Sequence, residues 1–254
     1  MLVLGSVPYA NGRPLLEGLA ESPGVRLVLD RPSALAGRLA AGELDAALVP
    51  SVEAIRDPRL VIVPGGCIAS RGAVASVSLF HRAPLAPGIR VALDSSSRTS
   101  AALVRLLLAG PLECPGCRFE ECPPETDPRT APADAVLLIG DAALALDRRG
   151  LRETDLGAAW TSWTGLPFVW AVWVARDGAA AEAAERVLRD ARARGRERLP
   201  EIVRAEAGRL GIPVAEMERY LTVNIRHEFG EDERRGLERF REECIRAGLA
   251  RPGL

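Results

Sequence analysis

The chain has 254 residues, a formal net charge of −1 and 48% hydrophobic residues, so it can bury one large core or two modest ones. A charge this close to zero argues against nucleic acid or an anionic membrane as the main partner. All the positive charge is arginine, and the lack of lysine excludes a lysine Schiff base, pyridoxal-phosphate chemistry and a Walker-type phosphate loop.

The amino terminus, MLVLGSVPYANGRPLL, has no basic n-region and no cleavage site, and no run of 18 apolar residues occurs anywhere. These features predict a cytoplasmic protein with no membrane span. Residues 2–4 read as a buried strand that runs into a Gly-Ser-Val-Pro loop, and LLEGLA then carries a helix signal. Residues 25–29 alternate like a strand. Pro32-Ser33 opens a helix that Gly42 stops, residues 45–49 form a buried strand, and Ser51 caps a short helix. A further strand covers 60–63.

The stretch 66–80, GCIASRGAVASVSLF, holds two β-rich pieces around Arg71-Gly72 and predicts a hairpin or a pair of crossover strands. Residues 89–93 are a buried strand, followed by the loop Asp94 to Ser100 and the helical run AALVRLLLAG. The proline-rich region 111–132 makes a surface excursion with one strand near 118–121. It carries Cys114, Cys117 and Cys122 at C-x2-C-x4-C spacing, but no fourth ligand lies nearby and no metal is expected. Residues 134–139 are another buried strand, and Gly140-Asp141 opens a helix. A helix is predicted over 156–163, and PFVWAVWVA at 167–175 is the strongest strand signal. From 178 onward the pattern is helical, with breaks at Pro200, Pro213 and Gly230.

This order predicts an α/β protein of βαβ units with mainly parallel strands and a helical end. The interruption near Phe80 and the return near 168–175 predict two lobes: residues 1–80 plus 176–254 form lobe one, and 81–175 form an inserted lobe two. A cleft between them, crossed twice by the chain, is the expected ligand site. Strand-end loops should line it. In Ser97-Arg98-Thr99-Ser100, hydroxyls, a guanidinium and free helix N–H groups suit a carboxylate or phosphate, although Ser97 or Thr99 can equally be a helix cap. Asn11, beside Tyr9, offers both a donor and an acceptor, or else forms an Asx-turn. Asp141 reads first as a helix cap. No G-x-S-x-G, H-E-x-x-H or G-x-G-x-x-G motif is present, and neither His81 nor His227 has an evident triad partner.

SVPYANGRPLL resembles the amino-terminal S-x-x-Y-x-N-x-x-P-L stretch of the chorismate dehydratase family, which serves menaquinone biosynthesis by the futalosine route. DAALVPSVE, GAVASVSLF, LDSSSRTSAALVRLLL, AVLLIGDAAL, DLGAAWTSWTGLPFVWAVW and YLTVNIRHEFGEDERRGLERF are similar to later stretches in the same order, with the Cys-Pro region outside the match. The resemblance implies the fold of type 2 periplasmic solute-binding proteins in a cytoplasmic enzyme. It implies dehydration of chorismate to 3-[(1-carboxyvinyl)oxy]benzoate with neither metal nor nucleotide; since no histidine or glutamate base is evident, a substrate carboxylate is the hypothesis for the proton acceptor, which the sequence leaves open. Carried over by position, Asn11 orients the substrate, and Ser76 or Ser78 donates to a carboxylate or to the leaving oxygen. Their alternation is expected to place both serines on one strand face. Ser97, Thr99, Ser100 and Arg98 bind a carboxylate, and Tyr9, Gly140 and Asp141 line the cleft. The alternatives are a non-catalytic solute-binding protein, the sister 1,4-dihydroxy-6-naphthoate synthase, and a regulatory ligand-binding domain.

Overall fold

The computed structural model describes residues 1–251. β1 (Leu2–Ser6) leads through Val7 and Pro8 into a 3₁₀ turn at Ala10–Leu15. The helix expected from LLEGLA does not form. Pro14 removes a donor within the turn and Gly18 takes φ +71°, so the segment continues as turns. β2 (Val25–Leu29), α1 (Pro32–Ala40), β3 (Ala46–Pro50), α2 (Ser51–Arg56) and β4 (Val61–Ser70) follow. Ser51 begins α2, but its hydroxyl donates to the Val169 carbonyl (2.6 Å) instead of capping the helix.

Next come β5 (Val77–His81), β6 (Arg90–Asp94), α3 (Thr99–Ala109), β7 (Arg118–Cys122), β8 (Ala135–Ile139), α4 (Gly140–Leu144) and β9 (Arg152–Asp155). The sequence pattern does not reveal β9, because RETD has no apolar residue; pairing with β5 at the sheet edge makes it a strand. The chain ends with α5 (Leu156–Thr164), β10 (Phe168–Ala175), α6 (Gly178–Glu197), α7 (Leu199–Leu210), α8 (Val214–Arg219), a π-turn at Tyr220–Asn224 and α9 (Glu231–Arg246).

Two five-stranded sheets result, with orders β2-β1-β3-β10-β4 and β7-β6-β8-β5-β9. In the first, β1 runs parallel to β2 and β3, whereas β10 runs antiparallel to β3 and β4. The second repeats the plan: β6 is parallel to β7 and β8, and β5 is antiparallel to β8 and β9. In each sheet the reversed strand is the one that arrives from the other sheet. The chain crosses between Ser70 and Val77, and again between Thr164 and Phe168. Arg71-Gly72 therefore belongs to a crossover, not a hairpin.

These pairings place β5 in the second sheet and β10 in the first, and so move the expected lobe limits at 80 and 175. Both strands are buried at every residue, and short apolar runs of this kind carry no mark of the sheet that will cover them. At the second crossing Trp160, Phe168 and Phe240 pack edge to face, with centroids 4.8 to 6.1 Å apart, and so join α5, β10 and α9. No helix among the described residues is long and apolar enough to cross a membrane.

Candidate active site

The carboxyl ends of β1, β3 and β8 and the amino end of α3 open on one cleft between the sheets, where open parallel sheets bind ligands. Its cavity volume is about 70 Å³. Leu48, Ile68, Val77, Ile139 and Trp170 supply apolar wall. The polar groups are Tyr9, Asn11 and the loop Ser97, Arg98, Thr99 and Ser100. Seven of the expected site residues, these six and Gly140, therefore meet here.

The loop half of the site suits an anion. α3 begins at Thr99 with no side-chain cap, and the first N–H groups of a helix lack intrahelical partners. Thr99 is occupied elsewhere: its hydroxyl accepts from the Val52 N–H (3.2 Å) and lies 3.4 Å from Ser51 Oγ. Arg98 pairs with Glu53 (3.2 Å), so its charge ties α3 to α2. Ser97 and Ser100 are buried, and their hydroxyls have no hydrogen-bond partner among the described residues. Those two hydroxyls and the helix amides are what remains for a carboxylate.

Facing them is Asn11, held by its backbone. Its carbonyl accepts from His227 Nε2 (2.8 Å), while its side-chain Oδ1 is buried without a partner. A buried orphan acceptor costs stability unless a ligand satisfies it. To make this bond His227 carries a proton on Nε2, and burial pushes its imidazole down to about 4, which leaves the ring neutral near pH 7. Tyr9 lies against Gly140, which takes φ +61°; a Cβ there would meet the Tyr9 ring at 3.2 Å. Burial also raises the Tyr9 phenol above its ordinary range, against the lowering effect of its bond to Ser96.

Ser76 and Ser78 do not act as a pair. Ser76 precedes β5, directly after Ala75, whose φ of +63° is unusual for a residue with a side chain. This turn is held by Asp155, whose carboxylate accepts from the N–H groups of Val74 (3.0 Å), Ala75 (2.8 Å) and Ala158 (2.9 Å). Burial outweighs these donors and leaves the Asp155 carboxyl above its ordinary value. Ser76 Oγ accepts from Tyr220 Oη at 2.8 Å. The Ser78 hydroxyl is spent on Glu153 (2.7 Å), and it is Val77 of this strand that lines the cleft.

Asp141 lies outside the cleft wall. One carboxylate oxygen accepts from the Ala10 N–H (3.0 Å) and the other from Arg209 (2.6 Å), and Arg209 also pairs with Glu206, which meets Arg13. These ion pairs clasp the Asn11 turn between α4 and α7. Cys114 and Cys117 donate to the Leu112 and Cys114 carbonyls, and no three acidic, thiol or imidazole groups among the described residues are grouped to hold a metal. Trp170, Asp155 and Tyr220 are the residues that sequence patterns did not single out. All three fall in stretches that resemble the family, DLGAAWTSWTGLPFVWAVW and YLTVNIRHEFG, and that order was the one available signal.

A family model described as menaquinone biosynthesis matches residues 2–246. A chorismate dehydratase of Thermus thermophilus is 36% identical over 263 aligned positions, which cover 94% of each chain. Among solved structures, protein AF1704 of Archaeoglobus fulgidus matches with a TM-score of 0.81 at 17% identity, covering 98% of both chains. The periplasmic aliphatic sulphonate-binding protein of Escherichia coli matches at 0.66 and 18%, covering 99% of this chain and 88% of that one. Such structural likenesses establish the fold, that of the periplasmic binding proteins. The match of residues 2–246 to the family model, and the sequence identity to a curated member, place this chain in the menaquinone-biosynthesis family.

Proposed function

We propose that this protein is a chorismate dehydratase, a carbon–oxygen lyase that converts chorismate to 3-[(1-carboxyvinyl)oxy]benzoate and water in the cleft between the two sheets. The observation that carries this reading is the pairing of two halves: an anion-accepting loop at α3 faces Asn11 Oδ1, a buried acceptor with no partner. At neutral pH both chorismate carboxyls are ionised, so the ring hydroxyl is its one hydrogen-bond donor. Ser97, Ser100 and the α3 amides take a carboxylate, and Asn11 takes the ring hydroxyl.

In the reaction the ring carbon–oxygen bond breaks and the hydroxyl leaves with its electron pair. The neighbouring ring C–H bond breaks, its electrons form the new double bond, and hydroxide with that proton makes water. Aromatisation supplies much of the driving force. The protein must fix the ring and assist the leaving oxygen. Ser76, fully buried beside the wall residue Val77 and not itself part of the cleft lining, is the donor assigned to that oxygen. Among the described residues no carboxylate or imidazole lines the cleft, which supports a carboxylate of the substrate itself as the proton acceptor. Retained full activity on a substrate that lacks the carboxyvinyl carboxylate would refute that last step.

The test of the function is direct. Purified protein, treated with chelator, is incubated with chorismate, and the products are followed by mass spectrometry. The expected product is aromatic and lighter by one water. Unchanged chorismate overturns the reading. Thermal stabilisation by chorismate without turnover would instead indicate a binding protein.

A further inference from the structure

Tyr220 is a buried phenol that the chemistry above does not use. It sits 2% exposed in the π-turn Tyr220–Asn224, a rare geometry that occurs often at functional sites. The turn grips the first crossing at several points. Asn224 Nδ2 donates to the Ala73 carbonyl (2.8 Å), and Arg226 and Ala69 exchange backbone hydrogen bonds at 2.8 and 2.9 Å. Tyr220 Oη donates to Ser76 Oγ at 2.8 Å, and the Asn11 side chain adjoins the same phenol.

The direction of that bond matters. A serine hydroxyl has one proton and accepts through its lone pairs. Because Tyr220 fills an acceptor position on Ser76, the Ser76 proton is left to point elsewhere, and no acceptor for it exists among the described residues. The Asn11 side chain contacts the same phenol, and its Oδ1 also lacks a partner among the described residues. A single hydroxyl thus contacts both groups assigned to the departing ring hydroxyl, one with a free proton and one with a free acceptor. Burial holds the phenol above its ordinary range, so it stays a donor at any working pH.

We propose that Tyr220 is a positioning residue for dehydration, orienting the Ser76 hydroxyl so that its proton meets the leaving oxygen while Asn11 holds the hydroxyl hydrogen. The proposal rests on the dehydratase reading. Tyr220→Phe removes the phenolic oxygen and keeps the ring. A misdirected donor costs rate rather than binding, so kcat falls about 10- to 100-fold with KM within about twofold. In a Ser76→Ala background, Tyr220→Phe then adds no further loss, because it acts through the group already removed. A folded Tyr220→Phe protein with native kcat overturns the proposal, and so does a loss that multiplies with that of Ser76→Ala. Should Tyr220→Phe not fold, Asn224→Ala releases the same turn from Ala73; the same kcat loss at constant KM is expected, and native kcat overturns the proposal. Native protein that leaves chorismate unchanged removes the dehydratase reading and this proposal together, whereas native turnover retained by Tyr220→Phe removes this proposal alone.

Discussion

Asn11→Ala separates function from folding more cleanly than any other change at the site. The Asn11 side-chain oxygen has no partner among the described residues, and the backbone of the turn is held independently by His227 Nε2 and by the Gly12 N–H to the Tyr9 carbonyl (3.0 Å). Truncation to alanine therefore removes an unsatisfied acceptor and a contact with the Tyr220 phenol, two effects of opposite sign and of about 1 kcal/mol each. The side chain faces the cleft and not a sealed core, so the space left behind fills with water. The net change in stability is about 1 kcal/mol or less, which shifts the melting temperature by at most about 2–4 °C in a chain of this size. Turnover should fall about 10²- to 10³-fold, the usual cost of removing one group aimed at a reacting oxygen. Initial rates of aromatic product formation and thermal melts followed by circular dichroism measure both quantities. Turnover equal to native would refute the role of Asn11. A melting temperature lower by more than about 8 °C would refute the claim that its side chain does not support the fold.

The Asp155 carboxylate gathers the Val74, Ala75 and Ala158 N–H groups, so Asp155→Ala strands these donors at a cost of about 2–4 kcal/mol. The expected result is a melting temperature lower by about 4–16 °C and a reduced kcat, because the turn it holds carries Ser76; an unchanged melt would sink the idea. Gly140→Ala forces an L-residue into φ +61° at about 1–2 kcal/mol and drives a methyl against the Tyr9 ring. Its melting temperature should drop about 2–8 °C and its KM should rise, and a variant with native KM would show that Tyr9 does not shape the cleft. His227 titrates in the opposite sense to a salt-bridged histidine. Its folded value is depressed to about 4, so the unfolded chain binds the extra proton first, and stability present above pH 6.5 is lost as pH falls toward 4. His227→Gln keeps a donor for the Asn11 carbonyl without that proton, so its melting temperature should decline less steeply over this range, and equal slopes would refute the burial argument.

Local chemistry in the sequence was enough for most of the strands and helices, for the α/β class and for the placing of the Ser97–Ser100 loop in the cleft. Hydrophobic period, proline and glycine act within a few residues, and the elements they signal depend on little else. The failures were also local: a helix signal at 15–20 overridden by Pro14 and Gly18, and an edge strand at Arg152–Asp155 with no apolar residue to betray it. Sequence resemblance led to Asn11 and to the choice between Ser76 and Ser78, but could not choose between those two. Tertiary structure distinguishes the two, because the Ser78 hydroxyl donates to Glu153 whereas Ser76 accepts from Tyr220, 144 residues further on. It likewise assigned β5 and β10 to their sheets and turned Asp141 from cleft wall into clasp. Each of those outcomes depends on which distant strand or side chain completes a hydrogen bond, and the local pattern of a chain holds no record of partners that only folding brings into reach.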